Sequence, residues 1–507
     1  MEIDYQVQTY SGVDGLIVPV FEGEKEKIEN LAWFRRNLAW LADMSFWREF
    51  KCKKGKALAS FAPGSSLCKI IIPVGLGEKS KFDSDAWYSA CAESFKQAKQ
   101  YECSTVGVPF PIIYSLFEEN PHWYLREMLF TGVSALYEYK ELKTMDAEDE
   151  DNGVRQQIVL LDQEPDGAVA DVLAYIKSVK NGLYHARDLI TRPSNEITPT
   201  TFAEEARKVA DTYGMRWNLI SLEQAKEMGM GAFVAVAQGS QNGGCISILE
   251  YCPVGCESER PLVLVGKGIT FDTGGISLKP AQNMEQMKHD MAGAAAVLGA
   301  MEVIGILKPP RRVVGIMPCA ENMPDGKAYR PGDVVKTLSG KTVEVISTDA
   351  EGRLILCDAI TYGIKNYNPA VLVDIATLTG ACIIALGDRV AGVMGNDDEL
   401  VSKLCDLGAK VGEKMWPLPL WDFFFEDMKS DIADFKNVGN RKAGTIVGGM
   451  FLKQFVEDSV KWAHIDIAGP AWADKPWFQM PKGATGFGIR TFVEMVKSWN
   501  LKPDGAN

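Results

Sequence analysis

Four acidic residues in the second half of the chain stand where carboxylates could do chemistry: Asp272, Asp290, Asp349 and Glu351. Asp349 and Glu351 are two residues apart, so an extended backbone would point both side chains to the same side. Taken singly, each acid could equally be a helix cap or a surface charge. If the four converge, they stay ionised only beside cations. Two divalent metal ions would balance their charge and suit hydrolysis by a metal-activated water.

Glycines and lysines gather upstream of Asp290, in the segment Gly266–Gly275 followed by Ser277 and Lys279. The segment follows a predicted strand, and ligands of open α/β sheets bind outside the carboxyl ends of the strands. A phosphate-binding loop is the obvious alternative. The spacing matches neither G-x-x-x-x-G-K-[ST] nor G-x-G-x-x-G, so the sequence argues against a nucleotide site.

The composition of the whole chain limits the classes of protein that it can encode. Its 507 residues predict two or three domains. The net charge of −13, from 54 basic and 67 acidic residues, argues against nucleic-acid binding through phosphates. The eleven cysteines are thinly spread and are predicted to be reduced thiols. We find no signal-peptide pattern and no run of about 20 uncharged apolar residues, and expect a cytoplasmic protein without a membrane partner.

The elements that must position these residues alternate between strands and helices along both parts of the chain. This alternation predicts α/β architecture with mostly parallel sheets. Predicted helices include Met284–Ile306 and Leu354–Lys365, which follow candidate site segments. The predicted strands of the second part are Pro261–Ile269, Arg312–Pro318, Thr342–Ile346, Ala370–Ile375 and Lys461–Ile467.

The chain divides where the composition changes. The acidic run Asp146–Asp151 is predicted to be an exposed loop. Helical periodicity then extends over 168–190 and stops near Pro193, because proline disfavours continued helix. We therefore predict an N-terminal domain at residues 1–166, a linker helix at 167–192 and a larger domain at 193–507.

The octapeptide Ser347–Leu354, STDAEGRL, resembles the signature of the leucyl aminopeptidase family, whose members are two-metal exopeptidases. The resemblance covers the second part of the chain. Over the first third, only the alternation of strands and helices agrees. Further blocks resemble the family in the same order along the chain: Val265–Pro280, Met287–Ala294, Ala376–Ala381, Ser430–Gly439 and Trp462–Gly469.

The resemblance implies a fold and an activity. The expected fold is an N-terminal macro-like α/β domain and a larger C-terminal α/β catalytic domain, whose central sheet is mixed, mainly parallel and flanked by helices. The expected enzyme is a leucyl aminopeptidase, a metal-dependent hydrolase that releases Leu and other apolar N-terminal residues from short peptides. Family members form homohexamers of two stacked trimers in the cytoplasm, so a homohexamer is expected here.

The resemblance also implies the metal ligands, position by position. One ion would be held by Lys267, Asp272, Asp290 and Glu351. The other would be held by Asp272, Asp349 and Glu351, so that Asp272 and Glu351 bridge the two ions. The expected metal is Zn²⁺, with one site exchangeable for Mn²⁺ or Mg²⁺. A lysine ligand must be neutral, and adjacent cations favour that state.

Two basic residues match the catalytic positions of the family. Lys279 would polarise the scissile carbonyl and stabilise the oxyanion. Arg353 would hold a bicarbonate ion as general base toward the metal-bridging hydroxide, because its planar fork fits an anion of carboxylate shape. The family uses no histidine at the place of His289, which is predicted not to be catalytic. The residues expected to bind substrate are Met287, Thr377, Leu378, Gly380 and Ala468.

Two positions depart from the family pattern. Ser347 stands where the octapeptide usually opens with Asn, and its shorter reach affects the positioning of this loop. Ala471 stands where a larger apolar residue commonly closes the pocket, so we expect a wider pocket that admits larger first residues. Three alternatives stay open: a catalytically impaired member with a structural or binding role, a DNA-binding member, and a dipeptidase specialised for Cys-Gly.

Overall fold

A computed structural model describes residues 2–7, 12–144, 157–162 and 167–499 of the chain. The acidic run Asp146–Asp151, predicted to be an exposed loop, lies outside the described residues. The cysteines in the described ranges form no disulfide bonds with one another, in agreement with their prediction as reduced thiols. Most of them are buried, as thiols in a packed core usually are.

The chain folds into two compact units. The first comprises Met1–Lys180 and Asp474–Lys482, and the second comprises Asn181–Ala473 and Gly483–Asn507. The helix predicted before Pro193 is present at Gly167–Thr191, and the division between the units falls within it. The domain boundaries at 166 and 192 stay predictions.

The first unit contains a seven-stranded sheet in the described residues. Its neighbouring strands Val13–Val20 and Cys68–Gly75 are parallel and almost entirely buried, which is typical of a parallel sheet covered on both faces. Two short strands, Lys56–Ala57 and Ser60–Phe61, run antiparallel to Cys68–Gly75. The strand order is Glu2–Val7, Gln157–Asp162, Thr105–Pro109, Val13–Val20, Cys68–Gly75 and Lys56–Ala57. The helices are Lys25–Glu29, Ala32–Asn37, Ala39–Asp43, Ser45–Glu49, Lys79–Lys81, Ser84–Gln100, Phe110–Leu116 and Pro121–Ala135.

The second unit is built on a nine-stranded mixed sheet within the described residues. Its central strands are parallel. Gly244–Tyr251 pairs antiparallel with both of its neighbours, whereas Ala391–Gly395 pairs antiparallel with Lys461–Asp466 and parallel with Met415–Pro417. Gly268–Asp272 is a further strand of this sheet, outside the main strand order, and pairs with the long strand Val313–Asn322. The mixed, mainly parallel sheet confirms the predicted fold class. The strand order is Met415–Pro417, Ala391–Gly395, Lys461–Asp466, Val371–Ala376, Leu262–Gly266, Val313–Asn322, Gly244–Tyr251 and Arg216–Ser221.

Smaller sheets and helices complete the second unit. A three-stranded sheet has the order Val334–Lys336, Thr342–Glu344 and Phe435–Lys436, and Trp472–Ala473 pairs with Gly483–Ala484. The helices are Pro199–Tyr213, Leu222–Glu227, Gly231–Ala237, Met284–His289, Ala292–Leu307, Gly352–Tyr367, Gly380–Leu386, Asp398–Lys410, Asp422–Met428, Gly444–Lys453 and Ile489–Ser498.

The helix Ala292–Leu307 approaches the central sheet so closely that side chains are excluded at the contact. A Cβ atom at Gly293 would lie 2.2 Å from the carbonyl oxygen of Ile375, and one at Gly266 would lie 2.4 Å from the carbonyl oxygen of Gly293. Only glycine therefore fits at these two positions. The small residues of this helix permit a close approach that places its first turn beside the ends of the central strands.

Two regular elements predicted from the sequence are interrupted in the structure. The predicted strand Pro261–Ile269 is two strands that meet at Lys267, and the predicted helix Met284–Ile306 is a 3₁₀ helix and an α-helix that meet next to Asp290. Periodicity in the sequence does not register a break of one or two residues. Both breaks occur at residues expected to bind metal, so the interruptions belong to the candidate site.

One segment, Met284–Leu307, is long and apolar enough to cross a membrane by length and composition alone. Of its most apolar window, 83% is buried inside the protein. Its hydrophobicity is therefore explained by its place in the core of the second unit, where apolar residues are packed on all sides.

Candidate metal and active site

Lys267 lies at the break between the strands Leu262–Gly266 and Gly268–Asp272. Its main-chain amide donates to the carbonyl oxygen of Ile375 at 3.0 Å, and its carbonyl oxygen accepts from the amide of Ala294 at 2.8 Å. These bonds fix its main chain between the sheet and the first turn of a helix. The residue is only 3% exposed, so its ammonium group needs partners in the interior.

Three of the four predicted acidic ligands meet at Lys267. Asp272, Asp290 and Glu351 are buried, and each offers an oxygen atom within 4.8 Å of the others. Nζ of Lys267 lies 2.8 Å from Oδ2 of Asp290 and 2.8 Å from Oε1 of Glu351. The convergence that the sequence spacing left open is therefore present for these three carboxylates.

Asp349, the fourth acid, lies at the exposed edge of the cluster, with 39% of its side chain accessible to solvent. The backbone around it is a turn, so the expectation that Asp349 and Glu351 share one side of an extended segment is wrong. Lys279 connects this edge to the interior instead. Its Nζ lies 2.8 Å from Oδ2 of Asp272 and also contacts Oδ1 of Asp349.

Burial and crowded charge shift the acid–base behaviour of the cluster. Burial raises the pKa of Asp272 and Asp290 above the ordinary range of a carboxyl group, because a charged oxygen loses its hydration there. Burial opposes ionisation of Glu351 as well, but Lys267 and Lys279 outweigh it and lower the pKa of that carboxyl group. The two ammonium groups thus favour the ionised form of the buried carboxyl groups, and divalent cations would have the same effect.

The residues present fit a metal ion. Oε2 of Glu351 is buried and accepts no hydrogen bond from the described residues, which leaves it open to an electron-pair acceptor. Carboxylate oxygens are the donors that hard divalent ions prefer, and an amine nitrogen such as that of Lys267 moves the preference toward Zn²⁺. The described part of the chain holds no second cluster of this kind.

Arg353 lies in the first turn of the helix Gly352–Tyr367 and is buried. Its Nη1 donates to the carbonyl oxygen of Asn437 at 2.7 Å, and its guanidinium carbon lies 6.0 Å from the ring centre of Phe451. Its Nε is buried and donates to no acceptor among the described residues. Burial lowers the pKa of Arg353 to about 10, which leaves the group charged at neutral pH. A buried cation with an unused donor fits a small anion.

Residues outside the predicted set hold the octapeptide loop. Nδ2 of Asn322 donates to Oδ1 of Asp272 at 2.8 Å and to the carbonyl oxygen of Thr348 at 2.9 Å, and the hydroxyl group of Tyr329 donates to the same carbonyl at 2.8 Å. Both side chains are buried. Asn322 ends a long buried strand, and a polar residue at a strand's carboxyl end is the signal that could have identified it.

Thr377, expected to line the substrate pocket, directs its hydroxyl group at a predicted metal ligand. Oγ1 of Thr377 donates to Oδ1 of Asp290 at 2.6 Å. Its carbonyl oxygen accepts from Nζ of Lys267 at 2.9 Å. The residue therefore orients two members of the cluster at once, a role that the sequence analysis missed.

Two further predicted substrate-binding residues are tied to one buried carboxylate. Oδ1 of Asp466 accepts from the main-chain amides of Leu378 and Ala468, each at 3.1 Å. Its Oδ2 accepts from the hydroxyl group of Thr379 at 2.7 Å. Asp466 has no solvent exposure, so it acts as an internal anchor for the loop that carries Leu378 and leads into the helix Gly380–Leu386.

The remaining predicted residues lie near the same strand ends. Met287 and His289 belong to the 3₁₀ helix Met284–His289, and the His289 ring stacks on Trp472 with ring centres 5.6 Å apart. Ala471 is 1% exposed. Because so little of its methyl group is accessible, the structure does not support the wider pocket expected from this position.

Comparison with known proteins identifies the family. Residues 184–493 match the catalytic-domain model of the cytosol aminopeptidase family, and residues 17–146 match its N-terminal-domain model. The chain belongs to the cytosol aminopeptidase family. This result confirms the family and the class of enzyme predicted from the octapeptide. Cytosol aminopeptidases are metal-dependent peptidases of the hydrolase class, and the buried cluster at Lys267 is consistent with that dependence.

Relatives and solved structures support the same assignment over the full length of the chain. A probable cytosol aminopeptidase from Syntrophobacter fumaroxidans is 47% identical and covers 98% of this chain and 99% of its own. A mutant of tomato leucine aminopeptidase is 32% identical with a TM-score of 0.85, covering 98% of this chain and 96% of its own. The bottromycin maturation enzyme BotP in complex with Mn is 31% identical with a TM-score of 0.80, and the match covers 96% of this chain and 99% of the BotP chain.

Proposed function

We propose that this cytosol aminopeptidase releases Leu and other apolar residues from the N-termini of short peptides in the cytoplasm. The observation that carries the proposal is the buried convergence of Asp272, Asp290 and Glu351 around Lys267. Burying four ionisable groups in one site costs desolvation free energy, and such clusters are typical of functional sites. The family assignment makes that function the cleavage of a peptide bond.

The proposed metal site uses the residues of this cluster. Lys267, Asp272, Asp290 and Glu351 would hold one ion, and Asp349 with the bridging Asp272 and Glu351 would hold the other. Zn²⁺ is the proposed metal, with one position exchangeable for Mn²⁺ or Mg²⁺ because oxygen donors dominate there. When bound, the two ions supply Lewis acidity and lower the pKa of water for attack on the peptide carbonyl.

Lys279 is proposed to stabilise the oxygen of the scissile carbonyl as negative charge develops on it. Its contacts with Asp272 and Asp349 place the ammonium group at the open edge of the cluster, where a substrate would enter. The same carboxylates raise the pKa of Lys279 well above its usual range, although burial opposes this, so the group is charged. A fixed cation at that edge favours an oxyanion over a neutral carbonyl.

Arg353 is proposed to hold a bicarbonate ion, which supplies a base for proton transfer. The buried Nε without an acceptor supports an anion partner at this guanidinium. Phe451 and the carbonyl oxygen of Asn437 restrict the orientation of the fork. Arg353 stays charged even though burial lowers its pKa. Its positive charge would therefore balance the negative charge of an anion bound to it.

The substrate is proposed to lie along the loop that follows the strand Val371–Ala376. The carbonyl oxygen of Leu378 would accept from the free α-amine, and the anchoring of its amide by Asp466 keeps that carbonyl in one orientation. The first side chain would rest against Met287, Thr377, Gly380 and Ala468.

The oligomer is proposed to be a homohexamer of two trimers. The proposal rests on the family resemblance and on large apolar side chains that a single chain leaves exposed in the second unit, a pattern typical of contact surfaces. Sedimentation should give six times the 55.8 kDa chain mass, and a species of single-chain mass would contradict the hexamer. The exposed residues are Ile384, Trp416, Trp421, Phe423 and Ile432.

The proposed function is tested by hydrolysis of a Leu-amide substrate with and without chelator, followed by addition of Zn²⁺, Mn²⁺ or Mg²⁺. Chelation should abolish activity and a divalent ion should restore it. Glu351→Gln should abolish activity with metal present. Glu413→Gln is the matched control, because Glu413 is a buried carboxylate of the same unit that binds Thr491 instead. Hydrolysis insensitive to both chelator and Glu351→Gln would overturn the proposal.

A further inference from the structure

Asn437 is a buried polar residue that lies beside the octapeptide loop. It follows the short strand Phe435–Lys436, which pairs in parallel with Thr342–Glu344. Its own amide donates to the carbonyl oxygen of Glu344 at 2.9 Å, so the pairing continues to Asn437. The residue has no solvent exposure. An amide side chain in such a place is costly unless all its groups are bonded.

The Asn437 side chain binds both polar groups of the main chain where the loop begins. Oδ1 accepts from the amide of Ile346 at 2.8 Å and from the amide of Ser347 at 3.4 Å. Nδ2 donates to the carbonyl oxygen of Ser347 at 2.7 Å. The loop continues through Asp349 to Glu351, so its entry is fixed two residues before the first proposed ligand.

The main chain of Asn437 binds the other end of the same loop. Its carbonyl oxygen accepts from Nη1 of Arg353 at 2.7 Å. The side chain of Ser347, by contrast, accepts from the amide of Asp349 at 3.3 Å, a bond within the loop itself. The connection from the loop entry to the neighbouring strand is therefore made by the Asn437 side chain and not by the side chain of Ser347.

We propose that Asn437 is a positioning residue that sets the geometry between Arg353 and the ligand loop Ser347–Glu351. One residue bonds the loop entry through its side chain and the guanidinium through its carbonyl, so a displacement of Asn437 moves both. The inference rests on the proposed function, because it assigns that geometry to the acid–base step.

The test is Asn437→Asp, which keeps the shape but places a carboxylate oxygen against the carbonyl of Ser347. With Leu-amide and saturating metal, kcat should fall about 10- to 100-fold while KM changes little, the range seen when outer hydrogen-bond partners of a site are lost. The matched control is Asn396→Asp. Asn396 also accepts from one amide, Trp462, and donates to one carbonyl, Val460, but at the opposite end of a central strand. Its variant should keep wild-type kcat.

A second measurement needs no loaded enzyme. In metal-free protein, Asn437→Asp should speed hydrogen exchange of the Ile346 and Ser347 amides about 10-fold, because repulsion between the new carboxylate oxygen and the carbonyl oxygen of Ser347 displaces the loop from the acceptor that these amides share. Exchange of the Trp462 amide should not change. If Asn437→Asp does not fold, Asn437→Ser serves in both measurements, since its shorter side chain cannot reach the main chain of Ile346 and Ser347 and adds no charge.

A double-mutant comparison separates this inference from the proposed function. The effect of Asn437→Asp on kcat should shrink in an Arg353→Ala background, because Asn437 acts through Arg353. Equal effects in both backgrounds, or loss of kcat with unchanged amide exchange at Ile346 and Ser347, would overturn the inference. If wild type itself lacks metal-dependent hydrolysis, the proposed function fails, whereas the exchange result for Asn437 stands separately.

Discussion

The hydroxyl group of Thr377 donates a hydrogen bond of 2.6 Å to Oδ1 of Asp290, and its carbonyl oxygen accepts from Lys267. A residue expected to touch substrate thus orients two proposed ligands. Ligand orientation is usually controlled by such partners, which fix the carboxylate before the metal arrives. The contact connects the strand Val371–Ala376 to the break in the helix next to Asp290.

Thr377→Val should therefore weaken metal binding about 10- to 100-fold, because it removes the hydroxyl group and keeps the shape. Isothermal titration of the metal-free protein with Zn²⁺ measures this. Thr377→Ser keeps the donor and should bind Zn²⁺ within about threefold of wild type. Equal affinities for the Val and Ser variants would show that the hydroxyl group does not orient Asp290.

Asp466→Ala should impair substrate binding more than metal binding. The change removes the acceptor for the amides of Leu378 and Ala468, and charge-assisted bonds of this kind contribute about 1.5–3 kcal/mol each. We expect KM for Leu-amide to rise roughly 10-fold or more, with Zn²⁺ affinity unchanged. Asp466→Asn retains one acceptor oxygen, so its KM for Leu-amide should lie between those of wild type and Asp466→Ala. A loss of Zn²⁺ affinity equal to the rise in KM would argue against this anchor role.

Gly293→Ala should destabilise the second unit strongly. A Cβ atom there would lie 2.2 Å from the carbonyl oxygen of Ile375, and neither main chain can move without disturbing Lys267. Overpacking of this kind costs about 1–3 kcal/mol or more, which chemical denaturation would detect. Gly326→Ala is the control, because no atom lies within 4 Å of a Cβ at that exposed position. Similar midpoints for the two variants would refute the close contact.

His185 should make the free energy of unfolding depend on alkaline pH. Burial opposes its protonation, but Glu205 and Glu302 outweigh that and raise the pKa of His185 to about 9 from 6.5. Because the folded pKa is the higher one, the stabilisation is complete below about pH 6.5 and is lost as the pH rises through about 9. A loss of about 3 kcal/mol is expected over that range.

Urea denaturation of wild type and His185→Gln at pH 6, 7.5 and 9 measures this contribution. The difference between the two proteins should be largest at pH 6 and should vanish near pH 9. A difference that stays constant with pH would show that the His185 ring, whose Nδ1 lies 2.8 Å from Oε2 of Glu302, is not charged in the folded protein.

The predicted strands at 312–318, 370–375 and 461–467 are present in the structure, because continuous apolar runs are typical of buried parallel strands. The antiparallel strand Gly244–Tyr251 was not predicted, nor were Val334–Lys336 and Phe435–Lys436, which flank the predicted strand Thr342–Glu344 in the small sheet. Their pairing depends on partners far away in sequence, which local patterns do not report.

The candidate site shows the same limit. Family resemblance located Lys267, Asp272, Asp290 and Glu351, and the structure brings them together. Asn437 and Asp466 lie in two of the blocks that resemble the family, but local sequence does not indicate what they bind. Each acts through hydrogen bonds to segments about 90 residues away in the chain, so only the folded arrangement reveals them.

The core helix that carries this chemistry also creates a hazard. Met284–Leu307 resembles a membrane span when taken alone, and packing against the central sheet and the neighbouring helices covers it. When a destabilised variant such as Gly293→Ala unfolds, it would expose this apolar segment to water. Once exposed, the segment would aggregate or bind chaperones or lipid, so unfolding would be irreversible. The half-life of the active enzyme would then be governed by the rate at which this segment becomes exposed.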